Sequence, residues 1–296
     1  MLAIQQWGID FILMLQSYQS PFLDSFFYLI TQLGGMAYLA VVPLVIWCIN
    51  PRLGIRALLA MLVAQYLVML IKDIVQEPRP YLADDRIISS GERGYSFPSG
   101  HAMGSMVFYG LLLLCTDKKW LRIALVGLII LIGLSRNYLG VHYPHDVVIG
   151  WVLGIIYLYS WFKWQPLVSK AFYQQTLSKQ LLLLFAVPAL IASLHYFWLD
   201  TFRALAVAGA VSACVLSLMA DSSRTLLHVK GHIIQLAGRY IIGMVLLLAT
   251  LTACDAIVPA DGHLFYNVVV WVNGFTMSLM TCYFAPRLFG KIKLAQ

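Results

Sequence analysis

Long apolar runs separated by short polar stretches dominate the chain. Nine such segments can be marked, each close to the roughly 20 residues that a membrane-crossing helix needs. They lie near residues 22–49, 54–72, 100–116, 120–137, 147–164, 180–198, 203–220, 233–254 and 264–286. These runs do not alternate apolar and polar positions as the strands of a membrane barrel do. The pattern predicts an all-α fold: a polytopic transmembrane helical bundle of about nine spans.

The first 20 residues follow a different pattern. Apolar side chains recur there at helical spacing and polar side chains interrupt them, which predicts an amphipathic interfacial helix or a tilted first helix. The apolar positions are Ile4, Trp7, Phe11, Ile12 and Leu15. No positive n-region or small-residue cleavage site is evident, so a signal peptide is not expected.

Composition supports a membrane protein. The chain is 61% hydrophobic and 11% charged, with a mean hydropathy of +0.81, whereas soluble domains carry about 25% charged residues. This balance excludes an ordinary soluble enzyme and a disordered chain. The net charge of +7 resides mainly in short loops, so the expected partner is the lipid bilayer, with no nucleic acid. The five cysteines show no metal-binding spacing and are interpreted as packing residues.

Basic residues concentrate in alternate loops, which the positive-inside rule places in the cytoplasm. They are Arg52, Arg56, Lys118, Lys119, Arg122, Lys163, Lys170, Lys179, Arg224, Lys230, Arg287, Lys291 and Lys293. The loops around 73–99, 138–146, 199–202 and 255–263 then face the opposite side. Three arginines break this bias in the first of these loops: Arg79, Arg86 and Arg93.

Three polar stretches hold most of the reactive groups, near residues 72–80, 97–101 and 135–146. The orientation above places all three at one membrane face, at helix ends. In the first stretch, Lys72 closes an apolar segment. Pro78 and Pro80 exclude a regular helix beyond it, so Arg79 is expected on a constrained turn.

The second stretch opens the third apolar segment at Ser99 and Gly100. The free amides of a helix N-terminus form an anion site, and glycine allows an anion to approach the backbone closely. Ser99 is also a suitable N-cap residue, and capping is compatible with contact to an anion.

In the third stretch, Ser135 and Arg136 close the fourth apolar segment. Pro144 suits the first turn of the next helix, which is expected to bring His142 and Asp146 together. A carboxylate in that position can hold one imidazole nitrogen and fix the tautomer of the ring.

These groups together suggest phosphoryl chemistry. Lys72, Arg79 and Arg136, with exposed amides, suit a group whose oxygens carry negative charge through its transfer. His142 can act as a nucleophile, and His101 can protonate a leaving alkoxide. A cationic pocket favours metal-independent chemistry, so no metal and no cofactor are expected.

The ordered set Lys-x6-Arg-Pro, Pro-Ser-Gly-His and Ser-Arg-x5-His-x3-Asp resembles the type-2 phosphatidic acid phosphatase superfamily. Each short motif is weak by itself, whereas the ordered set is specific. The matching positions are Lys72, Arg79, Pro80, Pro98, Ser99, Gly100, His101, Ser135, Arg136, His142 and Asp146.

The resemblance implies a metal-free helical-bundle phosphatase acting on lipid phosphates or diphosphates at the non-cytoplasmic face. It makes His142 the nucleophile, Asp146 its partner and His101 the general acid. The remaining matched positions would bind phosphate: Lys72, Arg79, Ser99, Gly100 and Arg136. Motif spacing selects His142 over His145, which is interpreted as a neighbour that tunes the pocket.

The resemblance covers roughly residues 20–165. The expected organisation is an amphipathic N-terminal helix over 1–20, a phosphatase core bundle over 21–165 and a four-helix membrane extension over 166–296. The implied substrates include undecaprenyl diphosphate or phosphate, phosphatidic acid, phosphatidylglycerol phosphate and sphingoid-base phosphates.

Other functions remain open at this point. A lipid phosphotransferase would use the same site. A transporter or a catalytically silent lipid-binding protein fits less well, because the charges gather at one face and the histidines are present. The compact loops favour a bacterial inner membrane, with the site facing the periplasm or exterior.

Overall fold

The computed structural model describes residues 3–199, 203–220, 231–259, 265–292 and 294, apart from the side chains of 198, 199 and 203. All regular structure in these ranges is helical, which confirms the all-α prediction. Three basic residues used for the orientation lie outside the described residues: Arg224, Lys230 and Lys293. Parts of the loops around 199–202 and 255–263 also lie outside them.

The described helices are numbered in chain order. They are α1 (Ala3–Gln16), α2 (Pro21–Leu33), α3 (Tyr38–Leu44, continued by a π-helical turn Val45–Ile49), α4 (Pro51–Val75), α5 (Pro80–Ala83), α6 (Gly100–Leu114), α7 (Lys119–Tyr138), α8 (Pro144–Tyr173), α9 (Leu177–Leu199), α10 (Arg203–Ala220), α11 (Ile233–Ala256), α12 (Tyr266–Leu279, continued by a π-helical turn Met280–Phe284) and α13 (Ala285–Lys291).

The described residues contain fewer candidate spans than the predicted nine. Six segments of the described residues are long and apolar enough to cross a membrane: Pro51–Ala83, Lys119–Tyr138, Pro144–Tyr173, Leu177–Phe197, Ile233–Ala256 and Tyr266–Lys291. The pair α2 and α3, bent by 49°, would make a seventh. The apolar helix α6 has 15 residues, or about 22 Å of rise, which is short for a hydrocarbon core of about 30 Å. The count of nine is therefore not confirmed, although the chain is an integral membrane protein.

The chain divides into two units. One comprises residues 1–38 and 64–166, and the other comprises residues 39–63 and 167–296. The predicted boundaries after residues 20 and 165 stay a prediction. All eight candidate site residues fall in the first unit.

In the first unit, α8 approaches the start of α6 very closely. A Cβ atom on Gly150 would lie 2.8 Å from the carbonyl oxygen of Ser99 and 3.0 Å from Cβ of Ala102. Only glycine allows this approach without displacement of backbone. The contact brings the second and third polar stretches of the sequence to the same place.

The N-terminal helix is amphipathic as predicted and packs one face inside the first unit. Ile9 and Ile12 of α1 form a buried apolar cluster with Ile87 and Tyr143. The amide of Gln16 donates to two backbone carbonyls, those of residues 88 and 138, at 2.6 and 2.9 Å. This helix therefore supports the long loop that precedes α6.

The second unit is built mainly from α9 to α13. Its α10 and α12 pack backbone to backbone, since a Cβ atom on Gly209 would lie 2.1 Å from the carbonyl oxygen of Trp271. The indole of Trp47 donates to the carbonyl of Thr281 at 2.9 Å within the same unit. None of the residues predicted to carry chemistry belongs to this unit.

Candidate active site

The candidate residues lie at or beside the ends of five helices, α4 to α8, and Ser99, Gly100 and His101 stand at the start of α6. Lys72 is in the last turn of α4, and Arg136 is in the last turn of α7. Arg79 immediately precedes the short α5, where the chain between 76 and 79 is not helical, as the prolines predicted. Asp146 is in the first turn of α8.

His142 and Asp146 meet, as the motif spacing predicted. Nδ1 of His142 lies 3.2 Å from Oδ2 of Asp146, and both side chains are buried, with 2% and 0% exposed. The backbone of His142 is fixed as well, because the amide of Asn137 donates to its carbonyl at 2.9 Å. A neutral imidazole that donates through Nδ1 keeps its lone pair on Nε2.

Asp146 receives two further hydrogen bonds at the same oxygen. The hydroxyl of Ser96 donates to Oδ2 in a short contact, and the backbone amide of Tyr143 donates to it at 2.9 Å. Oγ of Ser96 also lies 3.5 Å from Nδ1 of His142. The carboxylate is therefore held from several directions and has little freedom to leave the imidazole.

Ser99 caps α6, as the sequence indicated. Its side chain accepts from the amide of Ala102 at 3.4 Å, and its own amide donates to the carbonyl of Asp146 at 3.0 Å. Gly100 is the first residue of the helix. The start of α6 and the start of α8 are thus joined by a backbone hydrogen bond beside the histidine.

His101 packs against the glycines that follow α2. A Cβ atom on Gly35 would lie 2.8 Å from Nε2 of His101, and one on Gly34 would lie 3.2 Å from Cδ2. The two glycines leave the space that the imidazole occupies.

Two of the three cations bind backbone carbonyls of the loop before α6. Nζ of Lys72 donates to the carbonyl of Ser96 at 2.8 Å and to that of Tyr95 in a short contact. Arg79 donates to the carbonyls of Gly94, Arg93 and Val141 at 2.9, 3.1 and 2.8 Å. This side chain is 5% exposed. The cations therefore order the loop and face the same region.

Arg136 binds a carboxylate from that loop. Its Nη2 donates to Oε1 of Glu92 in a short contact, and its Nη1 donates to the hydroxyl of Thr31 at 2.6 Å. The other oxygen of Glu92 lies 3.6 Å from Nη1 of Arg79. Glu92 thus bridges the guanidinium groups of Arg79 and Arg136, both of which the sequence motifs assign to phosphate binding.

Burial and nearby charges shift the pKa values of His142 and Glu92. Burial, followed by the charges of Lys72, Arg136 and Arg79, places the pKa of His142 well below its ordinary value, so the ring is neutral at neutral pH. Burial acts most strongly on the pKa of Glu92 and raises it. The charge and hydrogen bond of Arg136, together with the charges of His101 and Arg79, lower that pKa overall. Glu92 is therefore ionised.

His145 does not face the pocket as a second nucleophile would. Its Nε2 lies 3.2 and 3.3 Å from the two carboxylate oxygens of Glu77 and 3.4 Å from Oδ1 of Asp146. The ligand-type atoms of these three residues lie within 4.8 Å of one another, a spacing that could hold a metal ion. A hydrogen on Nε2 of the imidazole, directed at these carboxylates, explains the same spacing.

The two arginines that the orientation left unexplained differ in their contacts. Arg86 forms an exposed ion pair with Asp84 at 2.6 Å, whereas Arg93 offers its carbonyl to Arg79.

Sequence reasoning missed the roles of Ser96, Glu92 and Glu77. No motif marks these three residues, and only their position in the proline- and glycine-rich stretch before α6 hinted at them.

Comparisons with known proteins agree with the motifs. Residues 53–170, which include all eight candidate residues, match the family model of the PAP2 superfamily. Residues 205–296 match the model described as the PAP2 superfamily phosphatase transmembrane extension.

The relatives act on several phosphorylated lipids, according to their names. Sphingosine-1-phosphate phosphatase 1 of Rattus norvegicus is 30% identical over 58% of this chain and 41% of its own length. Undecaprenyl-diphosphatase BcrC of Bacillus subtilis is 31% identical over 51% of this chain and 80% of its own length. Undecaprenyl-diphosphatase of Sulfolobus acidocaldarius is 34% identical over 35% of this chain and 50% of its own length. The chain thus spans less than half the length of the rat relative.

Proposed function

Because this chain belongs to the PAP2 superfamily, whose members are phosphatases acting on lipid phosphates, we propose that it hydrolyses lipid phosphates or diphosphates through a phosphohistidine. The reaction needs no metal in this proposal. The observation that carries it is the buried pair of His142 and Asp146, with Nδ1 and Oδ2 separated by 3.2 Å. Such a pair leaves Nε2 of a neutral imidazole as a nucleophile.

The first step forms a bond between Nε2 of His142 and phosphorus and breaks the bond from phosphorus to the leaving oxygen. His101 donates its proton to that oxygen. The bound phosphoryl anion favours the protonated form of His101 before transfer. The phosphorylated ring keeps its proton on Nδ1, and the carboxylate of Asp146 stabilises the resulting cation. Water then attacks phosphorus and gives a proton to the deprotonated His101, while the bond between phosphorus and Nε2 breaks. Inorganic phosphate leaves, and both histidines return to their starting states.

Phosphate binding is assigned to Lys72, Arg79 and Arg136, with Ser99 and the amide of Gly100. Three cations stabilise the charge on the equatorial oxygens during transfer. Since Glu92 bridges two of these cations, the incoming phosphoryl group must displace its carboxylate. The side chain of Glu92 then moves away from the two guanidinium groups, either alone or together with its loop.

The names of the relatives support undecaprenyl diphosphate and a sphingoid-base phosphate as substrates. The motifs and the family extend the proposal to phosphatidic acid and phosphatidylglycerol phosphate. The distribution of basic loops supports an active site on the non-cytoplasmic face. The compact loops favour a bacterial inner membrane, in which that face is the periplasm or exterior. A lipid headgroup at that face would reach the cations while its tails stay in the bilayer.

The direct test is phosphate release by the detergent-solubilised protein from a panel of these lipids in the presence of EDTA. We expect release that survives chelation and differs in rate among the lipids. Release abolished by EDTA and restored by Mg²⁺ would refute the metal-free reaction. Phosphoryl transfer only to an added acceptor lipid would instead identify a phosphotransferase.

Replacing Ser96 by alanine is expected to lower kcat about tenfold with little change in KM. The hydroxyl donates to the catalytic carboxylate, and charge-assisted hydrogen bonds of this kind contribute about 1.5–3 kcal/mol. The measurement is steady-state phosphate release. Ser105, a buried serine whose hydroxyl donates to a helix carbonyl, provides the matched control, and Ser105→Ala should stay within about twofold. Equal rates for Ser96→Ala and the native protein would contradict the assignment.

Replacing Glu92 by glutamine is expected to tighten the binding of inorganic phosphate about tenfold or more. The resident carboxylate competes for the guanidinium groups of Arg136 and Arg79, and a neutral amide competes less well. The readout is the inhibition constant of inorganic phosphate during lipid hydrolysis.

Asp85 lies exposed in the same loop, so Asp85→Asn removes a similar charge and should leave that inhibition constant unchanged. Weaker or unchanged phosphate inhibition in Glu92→Gln would show that Glu92 does not occupy the phosphate site.

A further inference from the structure

The catalytic carboxylate of Asp146 has a second side that the mechanism above does not use. Oδ2 faces His142, Ser96 and the amide of Tyr143. Oδ1 is buried without a hydrogen-bond partner among the described residues, and Nε2 of His145 lies 3.4 Å from it. Because both oxygens belong to one rigid carboxylate, a contact that fixes Oδ1 also fixes the direction in which Oδ2 points.

The imidazole of His145 must direct a hydrogen toward these oxygens. Three carboxylate oxygens surround its Nε2, two from Glu77 at 3.2 and 3.3 Å and one from Asp146 at 3.4 Å. An unprotonated nitrogen in that position would face three acceptors and repel them. A hydrogen on Nε2 therefore lies between the carboxylates of Glu77 and Asp146 and attracts both, and this arrangement is the His145 bridge.

Several contacts hold this bridge in place. The ring of His145 stacks on Tyr143, with centroids 5.2 Å apart and an interplanar angle of 13°. The amide of Gln5 in α1 donates to Oε1 of Glu77 at 2.9 Å. The side chains of His145 and Glu77 are 14% and 12% exposed. A ring packed in this way has few alternative rotamers, so the bridge is ordered.

The hydrogen on Nε2 of His145 offsets the repulsion between the two carboxylates. Two carboxylates this close repel each other, and the repulsion would turn Asp146 away from Glu77. An Asp146 displaced in this way cannot accept from Nδ1 of His142 or stabilise a phosphorylated ring. A hydrogen-bond donor between Glu77 and Asp146 attracts both carboxylates and keeps Asp146 in place.

We propose that His145 and Glu77 are positioning residues that hold Oδ1 of the catalytic Asp146, so that its Oδ2 stays aligned on His142. The inference rests on the proposed phosphohistidine reaction. Neither residue touches the substrate. Their contribution passes through Asp146 and belongs to the chemical step, so it should appear in kcat and be absent from phosphate affinity.

The test is a set of double-mutant cycles on the full chain, with phosphate release measured in EDTA. His145→Asn and Glu77→Gln should each lower kcat about tenfold, with the inhibition constant of inorganic phosphate within about twofold of native. The double variant should match either single variant. Adding His145→Asn to Asp146→Asn should cause no further loss, because the carboxylate through which His145 acts is already absent.

A matched substitution controls for the change of residue type. His232 is exposed at the start of α11, outside the segment 53–170 that holds the candidate site, and asparagine is a suitable N-cap residue. His232→Asn should keep native kcat. Thermal unfolding and gel filtration of each variant identify any that fail to fold. If His145→Asn fails, Glu77→Gln alone and with Asp146→Asn completes the cycle.

Three results would overturn the inference: native kcat in His145→Asn and Glu77→Gln, losses that multiply in the Asp146→Asn background, or a loss confined to phosphate affinity. Activity of the native protein that disappears in EDTA would also overturn it, since a metal ion would then link the same three residues. A native protein that releases no phosphate from any lipid would refute the proposed function itself, a result distinct from all of these.

Discussion

Asparagine in place of His142 is expected to abolish lipid phosphate hydrolysis, with kcat reduced about 10⁴-fold or more. The imidazole supplies the atom that bonds to phosphorus, and an amide side chain cannot replace it. The cation cluster remains, so the variant should still bind inorganic phosphate. The measurement is phosphate release over long incubations at high enzyme concentration, with phosphate binding followed by ligand-dependent thermal stabilisation.

His145→Asn is the informative comparison for His142→Asn, because the two histidines are separated by two residues in the chain. About tenfold loss at 145 and near-complete loss at 142 would assign the nucleophile. Comparable residual activity in His142→Asn and His145→Asn would contradict that assignment. His232→Asn again controls for the replacement itself.

Replacement of Asp146 by asparagine is expected to reduce kcat about 10²- to 10⁴-fold. The amide is nearly isosteric and can still accept from the amide of Tyr143, so the fold should persist. It lacks the negative charge that stabilises the imidazolium formed when His142 is phosphorylated. The loss should appear in the phosphorylation step, which single-turnover kinetics isolates from product release.

Asp255 offers a matched control for the removal of a carboxylate. It lies exposed near the end of α11 in the second unit, and Asp255→Asn should hydrolyse lipid at the native rate. A kcat of Asp146→Asn within a fewfold of native would show that the carboxylate is not needed to support the nucleophile.

The parts of the site that lie on helix ends could be predicted from the sequence. Pro144 begins α8, and the four-residue separation of His142 and Asp146 places both at that helix start. Ser99 before a glycine is a typical N-cap arrangement, and the structure shows it as a cap. Local rules suffice there because the interacting groups are close in the chain.

The loop contacts could not be predicted. Ser96 meets Asp146 across 50 residues, and Glu92 meets Arg136 across 44. The loop from 84 to 99 shows no periodicity, and its conformation depends on α1 and on the cations that bind its carbonyls. Sequence patterns report local structure and burial, whereas these pairs depend on the packing of distant segments.

The predicted count of nine spans is not confirmed, for a related reason. Hydropathy identifies apolar segments, but the length of a regular helix depends on where it is capped. Ser99 caps the start of α6 and Cys115 caps its end. The helix between them is shorter than the thickness of a membrane's hydrocarbon core. The bend between α2 and α3 follows two consecutive glycines, which divide one long apolar segment into two helices.

The central claim is a covalent phosphohistidine formed without metal, and the stereochemistry at phosphorus tests it most directly. A lipid thiophosphate made chiral with oxygen isotopes would be hydrolysed in isotopically labelled water, with EDTA present, and the configuration of the released thiophosphate determined. Two successive in-line displacements, the first by His142 and the second by water, predict overall retention. Inversion would mean that water attacks phosphorus directly, and it would contradict the account.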